Sequence, residues 1–345
     1  MYGQLGICAS SPGALQQRPA WRASDIAGST GWRLRLTSSD VAEVDSALNH
    51  SRSCGLPVLK LRAEHFPLPH LAARLHQLAT DLDDGYGFGV IRGLPTERYS
   101  ESDLRTILWG IGQHLGIAVS QDAYGHMVDR VRPTTAGTAQ LTSDGSDITA
   151  VLGLQSGGQS VVVSSTEVFN EILAGWPKLA ERMFGTYYLD RRGEHLPEEL
   201  PYRAAPLACW FDGKLSIRYS RQDTVSAQRF SDIPKLEPED FELFDLIDQR
   251  LDSARLRFEV EIRPGDIHLF NNYAVLHAQT RRGPHDRTAT DLFRLWLTLR
   301  DGRALPPNFI WPDGRGGRGG VTPRDVVMPS HIGRPLRPGQ STVQS

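Results

Sequence analysis

Three side chains lying far apart in the sequence have the types that a metal-dependent oxidation site uses: Asp144, His277 and Arg294. Mononuclear non-haem iron takes two neutral imidazoles and one carboxylate on one face and leaves its other positions open. The usual sequence form is His-x-Asp on one strand with a distant second histidine. Side chains alternate along a strand, so the intervening residue lets both near ligands point the same way. Asp144 sits in Leu141-Thr142-Ser143-Asp144-Gly145-Ser146-Asp147, and His277 closes the run Asn271-Asn272-Tyr273-Ala274-Val275-Leu276-His277. Two positions before Asp144 stands Thr142, whose neutral hydroxyl is a poor donor beside imidazole or carboxylate. His114, His126, His268 and His285 are candidates for a substitute donor, and each is also accounted for as an ordinary surface or packing histidine. Arg294, downstream of His277, could grip a carboxylate through two parallel hydrogen bonds or serve a structural ion pair. Taken alone, Asp144 is also a plain turn residue in Ser-Asp-Gly, and His277 a structural histidine at a strand end.

The elements that would position these residues follow from periodicity. Pro264-Gly265-Asp266 predicts a tight turn, with a strand following through Phe270. In the strand from Leu292 to Leu299, Phe293, Leu295 and Leu297 share one face and Leu292, Arg294, Trp296 and Thr298 the other. Leu256, Phe258, Val260 and Ile262 alternate with charged residues, as in a half-buried strand. Strands are also expected over 86–94, 149–154 and 160–164, and a hairpin over 208–217 around Asp212-Gly213. Helices are expected after Ser38-Ser39-Asp40, over 67–84, from Ser100 through Leu115, over 164–184 with Ser164 and Glu167 spaced as a capping box, and over 237–251. Residues 118–133 read as irregular. Helices come first and strands dominate from about residue 149, an order that argues for a β-rich barrel or sandwich decorated by helices.

Composition narrows the function classes. The 345 residues carry a formal charge of -2, with 38 basic against 40 acidic residues, which leaves no electrostatic footprint for nucleic acid or an anionic membrane. No apolar run is long enough to span a bilayer, and the first residues lack the pattern of a signal peptide. Cys8, Cys54 and Cys209 are scattered without zinc spacing or a disulfide framework, which fits a reducing, cytoplasmic setting.

With these pieces in place the chain resembles the TauD/TfdA family, the taurine-dioxygenase-like and clavaminate-synthase-like iron(II)/2-oxoglutarate oxygenases. The matching motifs, in order, are Thr142-Ser-Asp144-Gly-Ser-Asp147, Gly157-Gly158-Gln159-Ser160, Asp190-Arg191-Arg192-Gly193-Glu194 and Gly213-Lys-Leu-Ser-Ile-Arg-Tyr219. They continue with Gly265-Asp266-Ile267 through His277 and end at Leu292-Phe-Arg294-Leu-Trp296. The resemblance implies a fold that is mainly β with flanking helices, a double-stranded β-helix or jelly roll, over about residues 31–310. Residues 1–30 would be a partly disordered extension and 311–345 a Gly/Arg/Pro-rich, disordered tail. It also implies Fe(II) held by Asp144 and His277, and 2-oxoglutarate held by Arg294 with the Ser160 hydroxyl. The departure is Thr142, which stands where the family pattern places its first histidine. The implied activity is oxidation of a small molecule, with a homo-oligomer or a paralogue as a further partner. The alternatives are a catalytically silent member that binds a ligand or a partner subunit, and a non-redox enzyme using Asp144 and His277 as an acid/base pair.

Overall fold

The computed structural model describes residues 19–134, 139–281, 291–309 and 318–324. Its helices are α1 (Ala23–Ala27), α2 (Ser38–Ser53), α3 (Leu71–Asp84), α4 (Glu101–Leu115), α5 (Ser165–Gly175), α6 (Pro177–Arg182), α7 (Arg221–Ser226) and α8 (Pro238–Leu251). The strands are β1 (Arg33–Arg35), β2 (Phe88–Arg92), β3 (Ile117–Val119), β4 (Val128–Val131), β5 (Ile148–Gly153), β6 (Gly158–Ser164) and β7 (Tyr187–Asp190). They continue with β8 (Tyr202–Ala205), β9 (Ala208–Phe211), β10 (Lys214–Ile217), β11 (Phe258–Ile262), β12 (Ile267–Asn271), β13 (Val275–Arg281) and β14 (Leu292–Thr298). One seven-stranded sheet runs β1-β2-β12-β5-β14-β3, with β4 also on β14, and a three-stranded sheet runs β11-β6-β13. β7 pairs with β8 and β9 with β10 in two further hairpin-like sheets.

Alternation along each strand decides which layer its side chains join. On the outer face of the large sheet, Ile148, Ala150, Leu152, Ile267, Leu269, Phe293, Leu295 and Leu297 pack in one core with Leu71, Leu75, Leu78 and Leu82 of α3 and Leu104, Ile107, Leu108 and Ile111 of α4. On the outer face of the small sheet, Val161, Val163 and Leu276 pack with Phe169 and Ile172 of α5 and Leu243, Phe244 and Ile247 of α8. The inner faces meet in a third core that includes Val90, Val151, Phe270 and Leu292 from one sheet and Val162, Val260, Ile262 and Val275 from the other. The result is mainly β with flanking helices, two facing sheets of a jelly roll.

Two expectations change. Residues 118–133 are not wholly irregular: β3 and β4 each pair antiparallel with β14. They are too short for alternation to show. The helix expected over 164–184 is two helices, because Pro177 cannot continue α5 and instead starts α6 at its first turn. Ser164 caps α5 through Glu167 N–H at 3.0 Å, but the Glu167 carboxylate turns to Arg22 Nε at 2.8 Å, so only half of the expected box forms.

The chain ends are also fixed further than composition implied. Within the stretch read as an extension, Trp21 is buried and donates to the Tyr86 carbonyl at 2.8 Å. The reading of a solvated tail does not hold for residues 318–324. Arg318 Nε donates to Asp147 Oδ1 at 2.9 Å, Gly320 N to the Gly145 carbonyl at 2.7 Å and Val321 N to the Ser120 carbonyl at 2.9 Å. Residues 1–18, 310–317 and 325–345 lie outside the described residues.

Gly265 shows how the turn before β12 is fixed. Its φ is 81°, and an added Cβ would meet the Leu94 carbonyl oxygen at 2.0 Å. The next residue, Asp266, holds Arg92 through Nε at 3.0 Å and the terminal nitrogen at 2.6 Å. Gly265→Ala combines a left-handed backbone cost with overpacking, so a loss of about 2–5 kcal/mol in unfolding free energy is expected by urea titration. An unchanged midpoint would mean that the turn relaxes freely.

Candidate active site at the mouth of the sandwich

The segment from Thr142 to Asp147 crosses the open end of the sandwich from one sheet to the other. At its start, Thr142 and His277 exchange backbone hydrogen bonds of 3.2 and 3.1 Å as an isolated antiparallel bridge on the edge of β13 that faces away from β6. At its end, Asp147 N donates to the Leu297 carbonyl of β14 at 3.1 Å, and β5 begins. Residues opposed in this way stand side by side. Thr142, Asp144, His277 and Arg294 consequently line one cavity of about 820 Å³.

The structure brings Asp144 and His277 together. Asp144 Oδ2 lies 3.9 Å from His277 Nε2, beyond hydrogen-bond reach but close enough for both to hold one small ion. Asp144 Oδ2 also accepts from the Thr149 hydroxyl at 2.6 Å and the Trp296 indole N–H at 3.2 Å. Burial works to raise its pKa, but the Arg294 charge, His277 and those two donors outweigh it and hold the carboxyl below its usual range. His277 is 4% exposed and stacks on Phe270 with ring centroids 4.3 Å apart. Burial pushes its pKa down, against the pull of Asp144, so the imidazole is neutral at pH 7.

Asn272 orients the pair. Its Nδ2 faces the Ser146 carbonyl at 3.1 Å and Thr149 Oγ1 at 3.1 Å, which leaves Oδ1 as the acceptor. That oxygen accepts from Asp144 N at 3.0 Å and lies 3.0 Å from His277 Nε2. Nε2 is thereby assigned the proton in this arrangement. Arg294 Nε donates to Gln121 Oε1 at 2.5 Å, and its guanidinium lies over the Trp296 ring.

Ser160 is placed differently from Arg294. It lies on β6 opposite Gln279, fully buried, and its hydroxyl is 2.9 Å from His268 Nδ1; it is not among the cavity-lining residues. None of the described substitute histidines reaches the cavity. His114 Nε2 contacts the Phe66 carbonyl, His126 pairs with Asp122, and His268 lies inside the sandwich. His285 lies outside the described residues. Among the described residues no group of three His, Cys, Asp or Glu side chains is placed to hold a metal ion. The donor set therefore fits iron at two protein positions, Asp144 and His277, while the third is a hydroxyl. Arg294 fits an organic carboxylate.

Asn272, Thr149, Gln121 and Phe270 were not singled out from sequence. Asn272 had a signal in its position within Asn271-Asn272-Tyr273, five residues before His277. Gln121 had none, because its segment shows no periodicity.

His268 makes a separate prediction. Its ring is buried, Nε2 is 3.8 Å from Asp266 Oδ2, and burial lowers its pKa from 6.5 despite that carboxylate. A histidine depressed in the folded state contributes stability above pH 6.5 and loses it as pH falls through the folded value. Urea unfolding of His268→Gln at pH 7.5 and 5 is expected to show a smaller acid loss than the unsubstituted protein. Equal losses would show that His268 does not drive that pH dependence.

FR-33289 synthase of Streptomyces rubellomurinus (strain ATCC 31215) is 26% identical over 316 residues, covering 85% of this chain and 92% of that protein. An asparagine oxygenase solved with Fe(II), 2S,3S-3-hydroxyasparagine and succinate superposes with a TM-score of 0.59 at 17% identity, over 84% of this chain and 99% of the other. The non-heme iron oxygenase OrfP, solved with Fe, succinate and (3S)-hydroxy-L-Arg, gives 0.58 at 17% identity, over 77% and 94%. Residues 55–296, which hold Thr142, Asp144, His277 and Arg294, match the model of the taurine catabolism dioxygenase TauD, TfdA family, and the chain belongs to that family.

Proposed function

We propose that this protein is an iron(II)/2-oxoglutarate-dependent oxygenase that oxidises a small polar molecule, of amino-acid or natural-product type. The observation that carries the reading is the convergence of Asp144 and His277, 3.9 Å apart, in a cavity that Arg294 also lines. The structural neighbours are oxygenases solved with iron and succinate, and a sequence relative is FR-33289 synthase. Bound iron and 2-oxoglutarate supply the oxidising chemistry, with oxygen as the oxidant and succinate and carbon dioxide as co-products.

The cavity residues take distinct parts in this reading. The Asp144 carboxylate and the neutral His277 imidazole would hold the metal, with the His277 proton moved from Nε2 to Nδ1 so that Nε2 is free to ligate, and Asn272 keeps Asp144 in place through its backbone N–H. Arg294, fixed by Gln121, takes a carboxylate of 2-oxoglutarate as a bidentate partner. Gln140, Gln222 and Gln279 on the cavity wall offer amides to a polar substrate. Ser160 lies off the cavity lining with its hydroxyl against His268, so this reading assigns the clamp to Arg294 alone. A reducing, cytoplasmic setting accompanies this reading, in keeping with the scattered spacing of Cys8, Cys54 and Cys209 in the sequence.

Anaerobic titration with iron(II) and 2-oxoglutarate tests it. A visible charge-transfer band, and iron-dependent succinate release once oxygen is admitted, are the expected results. No band at millimolar iron would reject the reading. Thr142 favours a second reading, a family member that binds ligand without turnover; it predicts no succinate from the pure protein.

A further inference from the structure

We infer that the turn Asp190-Arg191-Arg192-Gly193-Glu194 is a brace shared by two parts of the cavity lining, with Asp190 and Glu194 as positioning residues for α7 and for Arg294. The inference rests on the reading of Arg294 as the clamp for 2-oxoglutarate.

The turn is held in a costly shape. Arg192 takes a φ of 48°, in the left-handed region that L side chains avoid, and Gly193 follows at 84°. Such a backbone persists only where its surroundings over-determine it, and it concentrates at functional sites. Buried Asp190 supplies the restraint: its Oδ1 accepts from Arg192 N at 2.8 Å and from the Arg229 guanidinium at 3.0 Å. Glu194 N closes the turn on the Arg191 carbonyl at 2.7 Å.

One side of this turn reaches α7. Asp190 Oδ2 accepts from the Ser226 hydroxyl, and Arg192 Nε pairs with Asp223 at 2.7 Å. α7 gives Arg221, Gln222, Val225 and Ser226 to the cavity lining. The other side reaches the clamp. Glu194 Oε2 accepts from Ala123 N, while the Ala123 carbonyl accepts from Arg324 N at 2.8 Å, and Arg324 Nε donates to the His195 carbonyl at 3.0 Å. Two residues before Ala123, Gln121 holds Arg294 twice: Oε1 accepts from its Nε at 2.5 Å, and Nε2 donates to its carbonyl at 2.8 Å. With Nε committed to Gln121, the fork offered to a carboxylate is the one between the two terminal nitrogens. A shift of the turn therefore moves the clamp and α7 together.

The test is calorimetric titration of 2-oxoglutarate into the full chain with millimolar iron(II) under anaerobic conditions, beside hydrogen–deuterium exchange read by mass spectrometry. Glu194→Ala is expected to weaken 2-oxoglutarate binding by about 3–30-fold, the range for residues coupled to a site whose ligand they do not touch. Glu194→Gln keeps an oxygen for Ala123 N and is expected to stay within about 2-fold. Gln121→Leu should lose at least as much as Glu194→Ala, and the double variant no more than Gln121→Leu alone, because both act along one route. A purely structural role would lower the urea midpoint of Glu194→Ala without moving that affinity. Unchanged affinity in Glu194→Ala, with binding abolished by Arg294→Ala, would overturn the inference and leave the clamp reading intact. Additive losses in the double variant would overturn it as well. If Arg294→Ala binds 2-oxoglutarate as the unsubstituted protein does, or the unsubstituted protein does not bind it, the clamp reading fails and the inference with it. In the unsubstituted protein, 2-oxoglutarate is expected to slow amide exchange at 120–127, 190–195 and 221–229 together. Slowing at 120–127 alone would overturn the inference even if no variant folds.

Discussion

Asp144→Asn is expected to abolish 2-oxoglutarate turnover and to weaken iron(II) binding by at least ~100-fold while leaving the fold in place. Losses in the groups that merely support a metal's ligands cost about 10–100-fold, and a ligand itself should cost at least the upper end of that range. The asparagine keeps an oxygen for the Thr149 hydroxyl and the Trp296 indole, which Asp144 accepts at 2.6 and 3.2 Å. What it removes is the negative charge facing Arg294 and His277. Asp144→Ala differs in kind, since it leaves both buried donors unpaired at about 1–3 kcal/mol each. Comparing the two variants by calorimetric metal titration and urea unfolding separates charge from packing. Iron binding by Asp144→Asn at the unsubstituted affinity would remove Asp144 from the metal site.

The parts of this fold that sequence made legible are those with strong local period. In β14 the two faces read from the sequence are the two faces found: Phe293, Leu295 and Leu297 pack under the helices, and Arg294 lines the cavity. The leucines of α3 recur at helical spacing, and all of them are buried. β3 and β4 were hidden because each is an edge partner of β14 too short to show a pattern. Pro177 was visible in the sequence, and the break it makes between α5 and α6 follows from the missing amide and the fixed φ.

The site was legible in a different way. Asp144, His277 and Arg294 were found through residue type and motif order, and the structure places all three on one cavity. Ser160 was chosen by the same route, but a hydroxyl on a strand carries no information about which buried neighbour satisfies it. Here that neighbour is His268, from the opposite sheet. Asn272 and Gln121 act through hydrogen bonds spanning more than a hundred residues of sequence. No local pattern encodes such contacts. The same holds for residues 318–324, whose glycine-rich composition reads as tail while Gly319 and Gly320 take φ of 78° and 79° against Ser146 and Val119.

That returning segment leads to the second large effect. Asp147→Ala is expected to cost about 3–5 kcal/mol, the range for breaking a buried charged pair by removing one partner. Asp147 is 1% exposed; its Oδ1 accepts from Tyr273 Oη at 2.7 Å and Arg318 Nε at 2.9 Å, and its Oδ2 from Leu299 N at 2.9 Å. Its backbone carbonyl also accepts from Asn272 N at 2.9 Å, so one residue ties the returning chain to the amide that sets Asp144 and His277. Arg318→Ala alone should cost less, because the carboxylate left behind keeps two donors. In the cycle of both single variants and the double, measured by urea unfolding, a coupling of at least ~1 kcal/mol is expected between these contacting residues. Additive losses would mean that residues 318–324 rest on the loop without bracing it. A large coupling would place the structural limit of this domain past the end of the matched family region, because the loop that carries Asp144 would then depend on a segment beyond it.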